Sequence, residues 1–139
     1  MELPEYAALV EAAVAAQALA YAPYSQFRVG AAVLTASGRI FKGANIENAA
    51  YPMTICAERV AIFSAYAAGE RQIVALAVVT PTDDVASPCG ACRQVIFELA
   101  PQSTVLLLNR HGKHQLTSPQ ELLPHGFGAA QLDEGTGSS

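Results

Sequence analysis

Two short patterns constrain this chain more than anything else in it: Cys56-Ala57-Glu58 and Pro88-Cys89-Gly90-Ala91-Cys92. Between them they hold all three cysteines of the 139-residue sequence. Three thiolates can bind a Zn²⁺ ion and leave its fourth position to water, and an open position marks a catalytic rather than a structural zinc. Any fold that uses this set must bring the chain around residue 56 against residues 89 to 92. Glu58, two positions beyond Cys56, is then well placed to move protons to and from that water.

The length suits one domain, able to bury roughly two-thirds of its unfolded surface. Hydrophobic residues make up 52% and charged residues only 14%, an apolar balance for a small soluble protein that points to some buried subunit contact. The net charge is −4, and the eight Lys and Arg form no run. A basic nucleic-acid-binding face is therefore not expected. The alanine-rich stretch from Tyr6 to Ala22 lacks a basic leader and is interrupted by Glu11 and Gln17, so it does not read as a signal sequence. No run reaches the ~18 apolar residues of a membrane span. With an odd number of cysteines, the chain reads as cytoplasmic, its thiols reduced or metal-bound.

Pro4, Glu5 and the apolar spacing of Leu9, Val10, Val14 and Leu19 predict a helix over residues 4–20. Residues 27–34 read as a strand, Ser37-Gly38 as a turn and 39–43 as the returning strand. Residues 45–54 have no period and include Pro52, which suits a functional loop. From Cys56 to Ala68 the pattern is helical and apolar on nearly every side, which predicts burial. Residues 73–80 and 104–108 read as strands covered on both faces. Ser87 as N-cap with Pro88 after it would open a helix to about Leu99. A short strand over 114–117, a short helix from Ser118 and a loop over 124–128 complete the pattern. The expected organisation is a single domain over residues 1–131 and a tail without structure over 132–139. Alternating helices and strands imply an α/β fold, a mixed sheet with helices on both faces.

Cys89 and Cys92 are spaced to share one face at a helix start, and Cys56 also begins a helix. Each helix N-terminus carries roughly half a positive charge. Two such ends, with Arg59 one turn from Cys56, would offset the net −1 of three thiolates on Zn²⁺. Other readings of the same residues stay open. Cys89-x-x-Cys92 alone fits a redox pair. A structural zinc could take a fourth ligand from His111, His114 or His125, although such histidines are more often plain surface residues. Glu58 alone would serve the helix dipole, and Arg59 alone an ion pair.

The chain resembles the small homotetrameric cytidine deaminases with three-cysteine zinc sites, over roughly residues 6–128. The resemblance is densest in Ala20–Ser25, Phe27–Ala32, Gly43–Tyr51, Cys56–Arg59 and Pro88–Val95. It implies a three-layer α/β/α sandwich around a mixed, roughly five-stranded sheet. It also implies hydrolytic deamination of cytidine and 2′-deoxycytidine in pyrimidine salvage, with one Zn²⁺ per subunit on Cys56, Cys89 and Cys92. A zinc-activated water would attack C4, with Glu58 as proton shuttle, as in zinc deaminases generally.

By the same resemblance, Asn45 and Glu47 would bind the ribose hydroxyls, and Phe27 would pack beside the pyrimidine, where Ala57 also belongs to the substrate-binding set. Phe127 would stack on the base in a neighbouring subunit, near Tyr51, so that active sites are shared within a homotetramer. Taken singly, Phe27 suits a core, Asn45 a turn, Glu47 a solvated surface and Tyr51 a loop anchor. Phe127, between Gly126 and Gly128, is less easily placed in a monomer core. The expected partner is a small nucleoside, with neither nucleic acid nor membrane. The alternatives are a deaminase of another aminated heterocycle, of the blasticidin S type, and a structural zinc module.

Overall fold

The computed structural model describes residues 4–136. A 3-10 turn, Pro4–Tyr6, leads into helix α1 (Ala7–Gln17), followed by strands β1 (Gly30–Thr35) and β2 (Ile40–Ala44). Helix α2 (Ala57–Ala67), strand β3 (Ile73–Val79), helix α3 (Gly90–Leu99) and strand β4 (Thr104–Leu108) follow. Strand β5 (His114–Thr117) and helices α4 (Pro119–Leu122) and α5 (Ala129–Thr136) close the chain. The five strands form one sheet in the order β2-β1-β3-β4-β5. Only β3 and β4 pair in parallel; the other neighbours are antiparallel. The mixed five-stranded sandwich expected from the sequence is the fold observed.

Side chains alternate between two cores because successive strand residues face opposite sides. Ala31, Val33, Leu76, Val78, Val105 and Leu107 meet α2 and α3 through Ala61, Ile62, Ala65 and Ile96. Ala32, Ala75, Ala77, Val79, Leu106 and Leu108 meet α1 through Leu9 and Ala13. The continuous apolar runs of β3 and β4 follow from this double cover.

Several local expectations are corrected. Helix α1 is shorter than residues 4–20 and buries Leu9, Ala13 and Ala16, while Val14 and Leu19 are exposed. The reason is close approach: a Cβ on Gly30 would lie 2.1 Å from the Ala13 carbonyl oxygen, so small residues, Ala13 and Ala16, face the sheet there. Strand β1 begins at Gly30, not Phe27. Before it, Gln26 takes a left-handed φ of 58°, and the Asn45 amide bonds the backbone of residues 27 and 29 in place of a neighbouring strand. Helix α2 is not buried all round, since Phe63 is 42% exposed. Helix α3 is capped by Cys89, two residues later than expected, because the Ser87 hydroxyl accepts from Arg93 instead. Ser118 does cap α4, accepting from the Glu121 amide at 3.1 Å. Helix α5 runs past residue 131, so 132–136 are helical rather than an unstructured tail; residues 137–139 lie outside the described residues.

Among the described residues, no helix is long and apolar enough to cross a membrane.

Candidate active site

Helices α2 and α3 both begin on a cysteine. Cys56 and Cys89 are the N-caps, each with extended backbone and no side-chain capping bond. Their sulfurs are therefore not spent on the helix and face one another at 3.8 Å. Cys92 is buried in the first turn of α3, and the three sulfurs all lie within 4.8 Å of one another. A tetrahedral zinc with Zn–S bonds of about 2.3 Å requires sulfurs about 3.8 Å apart. The donor set and its spacing fit Zn²⁺. Both helix N-termini lie at this cluster, where their unpaired N–H groups carry partial positive charge.

The electrostatics favour ionisation at Cys56 and oppose it at Cys92. The Cys56 thiol is lowered to about 5, chiefly by the Cys92 thiol's hydrogen bond, with Arg59 and Cys89 adding to it against burial. Cys92 is pushed up by the same hydrogen bond and by burial. Arg59 Nη2 donates to Cys56 Sγ at 3.4 Å, and this contact raises the guanidinium's own pKa. Glu58 sits among these groups at only 5% exposure. Burial lifts its carboxyl to about 7, and the neighbouring Cys56 charge pushes the same way. A carboxyl that titrates near neutrality can both take and give a proton at working pH.

Cys56, Cys89 and Glu58 line a cleft of about 420 Å³, the size of a small-molecule site, with Cys92 buried behind them. Its walls include Phe27, Asn45, Glu47 and Tyr51, together with Cys56, Ala57, Glu58 and Cys89. Tyr51 stands exposed on a 3-10 turn, Tyr51–Met53. Asn45 is partly committed to the fold: its Oδ1 accepts from Val29 N at 2.9 Å and its Nδ2 donates to Phe27 O at 2.7 Å. One N–H and one acceptor position remain on that amide. Phe127 does not line the cleft of its own chain; it is 59% exposed on the segment after α4.

Sequence reasoning gave no role to Ser25. Its hydroxyl donates to Glu47 Oε2, while the backbone amides of Tyr24 and Ser25 donate to Oε1 at 3.0 and 3.1 Å. The Ser25 hydroxyl is the main reason that Glu47 is held below the ordinary carboxylate range. The clue in the sequence is the turn Pro23-Tyr24-Ser25, which offers consecutive donors opposite a lone carboxylate.

The sequence model of the cytidine and deoxycytidylate deaminase zinc-binding region matches residues 4–108. The chain belongs to this deaminase family. A cytidine deaminase of Halalkalibacterium halodurans is 50% identical over 127 residues, 91% of this chain and 96% of the relative. One from Sporosarcina psychrophila is 52% identical over 114 residues, 81% of this chain and 84% of the relative. The crystal structure of cytidine deaminase from Burkholderia pseudomallei superposes with a TM-score of 0.84 at 53% identity, covering 86% of this chain and 97% of that one. The Mycobacterium tuberculosis enzyme gives 0.77 at 36%, covering 89% and 98%. Like the rest of the deaminase family, the chain is a zinc-dependent hydrolase, and Cys56, Cys89 and Cys92 are the group placed to hold the metal.

Proposed function

We propose that this deaminase converts cytidine and 2′-deoxycytidine to uridine and 2′-deoxyuridine, releasing ammonia, in pyrimidine salvage. The observation that carries the reading is the buried Glu58 carboxyl, beside three sulfurs, in a cleft that also presents Glu47 and Asn45. Cys56, Cys89 and Cys92 would hold the zinc, which would supply a water acidified toward a pKa of ~7. Glu58 would take a proton from the attacking water and pass it to ring N3, which makes C4 electrophilic. The C4–O bond forms as that proton is passed on; Glu58 then takes the second proton from the new C4 hydroxyl and gives it to the amino group, which leaves as ammonia when the C4–N bond breaks. Phe27 packs beside the ring and Ala57 borders it. The ionised Glu47 and the free positions on Asn45 accept and donate to the ribose hydroxyls. A site built for those hydroxyls discriminates against a base that lacks them.

Several exposed apolar side chains adjoin this cleft. Tyr21 and Ile46 lie on paired backbone segments, and the Tyr51–Met53 turn follows. An apolar patch of this kind supports burial against other copies of the chain, in a homotetramer whose active sites are shared, with Phe127 of one subunit meeting the base bound by the next. The three free thiols suit a cytoplasmic setting.

The test is ammonia release from cytidine by the zinc-loaded protein, beside free cytosine and beside Glu58→Ala. Turnover of cytidine alone, abolished in the variant, is the expected result. Equal turnover of cytosine would remove the ribose contacts from the account, and no turnover of either would remove the substrate.

A further inference from the structure

Arg93, the residue after Cys92, donates three side-chain hydrogen bonds. Its Nε donates to the Pro88 carbonyl at 2.9 Å and its Nη2 to the Ser87 hydroxyl at 2.7 Å. Its Nη1 reaches the Leu122 carbonyl at 2.9 Å. Ser87 and Pro88 form part of the cleft wall immediately before Cys89. Leu122 ends α4 and starts the segment 123–128 that carries Phe127. The next helical residue, Gln94, donates to the Phe127 carbonyl at 2.8 Å. One turn further on, Phe97 lies under the same segment: a Cβ on Gly126 would come within 2.9 Å of its ring. Residues 93, 94 and 97 thus hold the segment against α3.

Helix stability does not explain this arginine. A cation in the first turn of a helix opposes the macrodipole and is mildly unfavourable there. The arrangement also depends on a planar fork with several fixed donors, which lysine cannot reproduce.

We propose that Arg93 is a positioning residue that joins the Ser87–Cys89 wall to the segment bearing Phe127, so that the metal-bearing turn and the aromatic segment are set as one piece. Its consequence for turnover rests on the deaminase reading of the cleft; the mechanical link does not. If Phe127 serves a neighbouring subunit, Arg93 registers one subunit's metal turn against the next subunit's base wall.

The sequence has no tryptophan, so Phe127→Trp provides a single fluorescent reporter on the segment, and Co²⁺ in place of zinc reports on the thiolates of the turn. Arg93→Lys and Arg93→Ala, each made with and without Phe127→Trp, are compared at full metal occupancy. Both are expected to increase quenching of the indole by acrylamide and to shift the Co²⁺–thiolate absorption. A change at one end only, or at neither, overturns the proposal; a purely structural arginine would lower thermal stability without moving both signals. Should Arg93→Ala fail to fold, Arg93→Lys keeps the charge and still decides. In the Phe127 background, kcat/KM for cytidine should fall by about 10²-fold, as expected for a small displacement of a reacting centre. If the unsubstituted chain releases no ammonia from cytidine, the substrate reading fails while the two spectroscopic signals still decide the link.

Discussion

Arg59 donates from Nη2 to the Cys56 sulfur at 3.4 Å across the first turn of α2, and its buried Nε has no hydrogen-bond partner among the described residues. Three thiolates on Zn²⁺ leave a net −1 that weakens the metal's hold on hydroxide, and the guanidinium opposes that excess. Arg59→Ala is expected to lower zinc affinity or turnover by about 10- to 100-fold, the usual range for groups that orient a ligand. Competition with a chromophoric chelator measures the affinity. Unchanged affinity and unchanged kcat together would remove Arg59 from the metal site.

Glu58→Gln should separate proton transfer from metal binding. Turnover should fall by at least ~10² to 10⁴, the ordinary contribution of a positioned acid–base group, while zinc stays bound. The variant should also change stability in a defined pH window. Burial raises the Glu58 carboxyl from 4.5 to about 7, so the folded metal-free protein holds a proton that the unfolded chain has already released. Stability is therefore full below about 4.5 and is lost as pH rises toward 7. Glutamine does not ionise, so at pH 8 metal-free Glu58→Gln should exceed the parent by about 3 kcal/mol, at roughly 1.4 kcal/mol per pH unit. Denaturant melts across pH measure this, and a gap that does not grow with pH would contradict it.

Ser25→Ala tests the grip on Glu47. The Ser25 hydroxyl is the largest influence holding that carboxyl below its ordinary 4.5. A depressed carboxylate contributes stability that is present above the unfolded pKa and lost as pH falls through the folded one. Without the hydroxyl, Glu47 should titrate closer to 4.5, and the acid limb of kcat/KM should move to higher pH. An acid limb that stays in place would mean that Glu47 does not govern substrate binding in that range.

The metal set was legible because its chemistry is local: Cys56, Cys89 and Cys92 mark helix starts in the sequence, and both helices do begin there. The strands of the sheet centre were legible because burial on both faces leaves an unbroken apolar run, as in β3 and β4. The misread elements depend on distant partners. Ser87 looks like an N-cap until Arg93 claims its hydroxyl. Phe27 to Val29 look like a strand until the Asn45 side chain, far along the chain, takes their backbone groups. Helix α1 turns Ala13 and Ala16 inward beside Leu9, and leaves Val14 outside, because a glycine on β1 lets the helix come close. None of these choices is encoded in periodicity.

Gly43 and Gly30 form a matched pair, since each admits a helix to its side of the sheet. A Cβ on Gly43 would lie 2.4 Å from Ala57 O and from Ala61 N, in the backbone of the helix that presents Cys56 and Glu58. A Cβ on Gly30 would meet α1, at 2.1 Å from Ala13 O, and α1 carries none of the metal set. Both contacts are with backbone, so neither can be relieved by a side-chain rotation. Gly43→Ala and Gly30→Ala should each destabilise the fold by about 1–3 kcal/mol or more, as overpacking does. Their activities should diverge. Displacing α2 by even about 1 Å would cost on the order of 10²-fold in turnover, so kcat per bound zinc should fall far more in Gly43→Ala than in Gly30→Ala. Equal losses per zinc, measured below both melting temperatures, would show that the approach of α2 to β2 does not set the reacting groups.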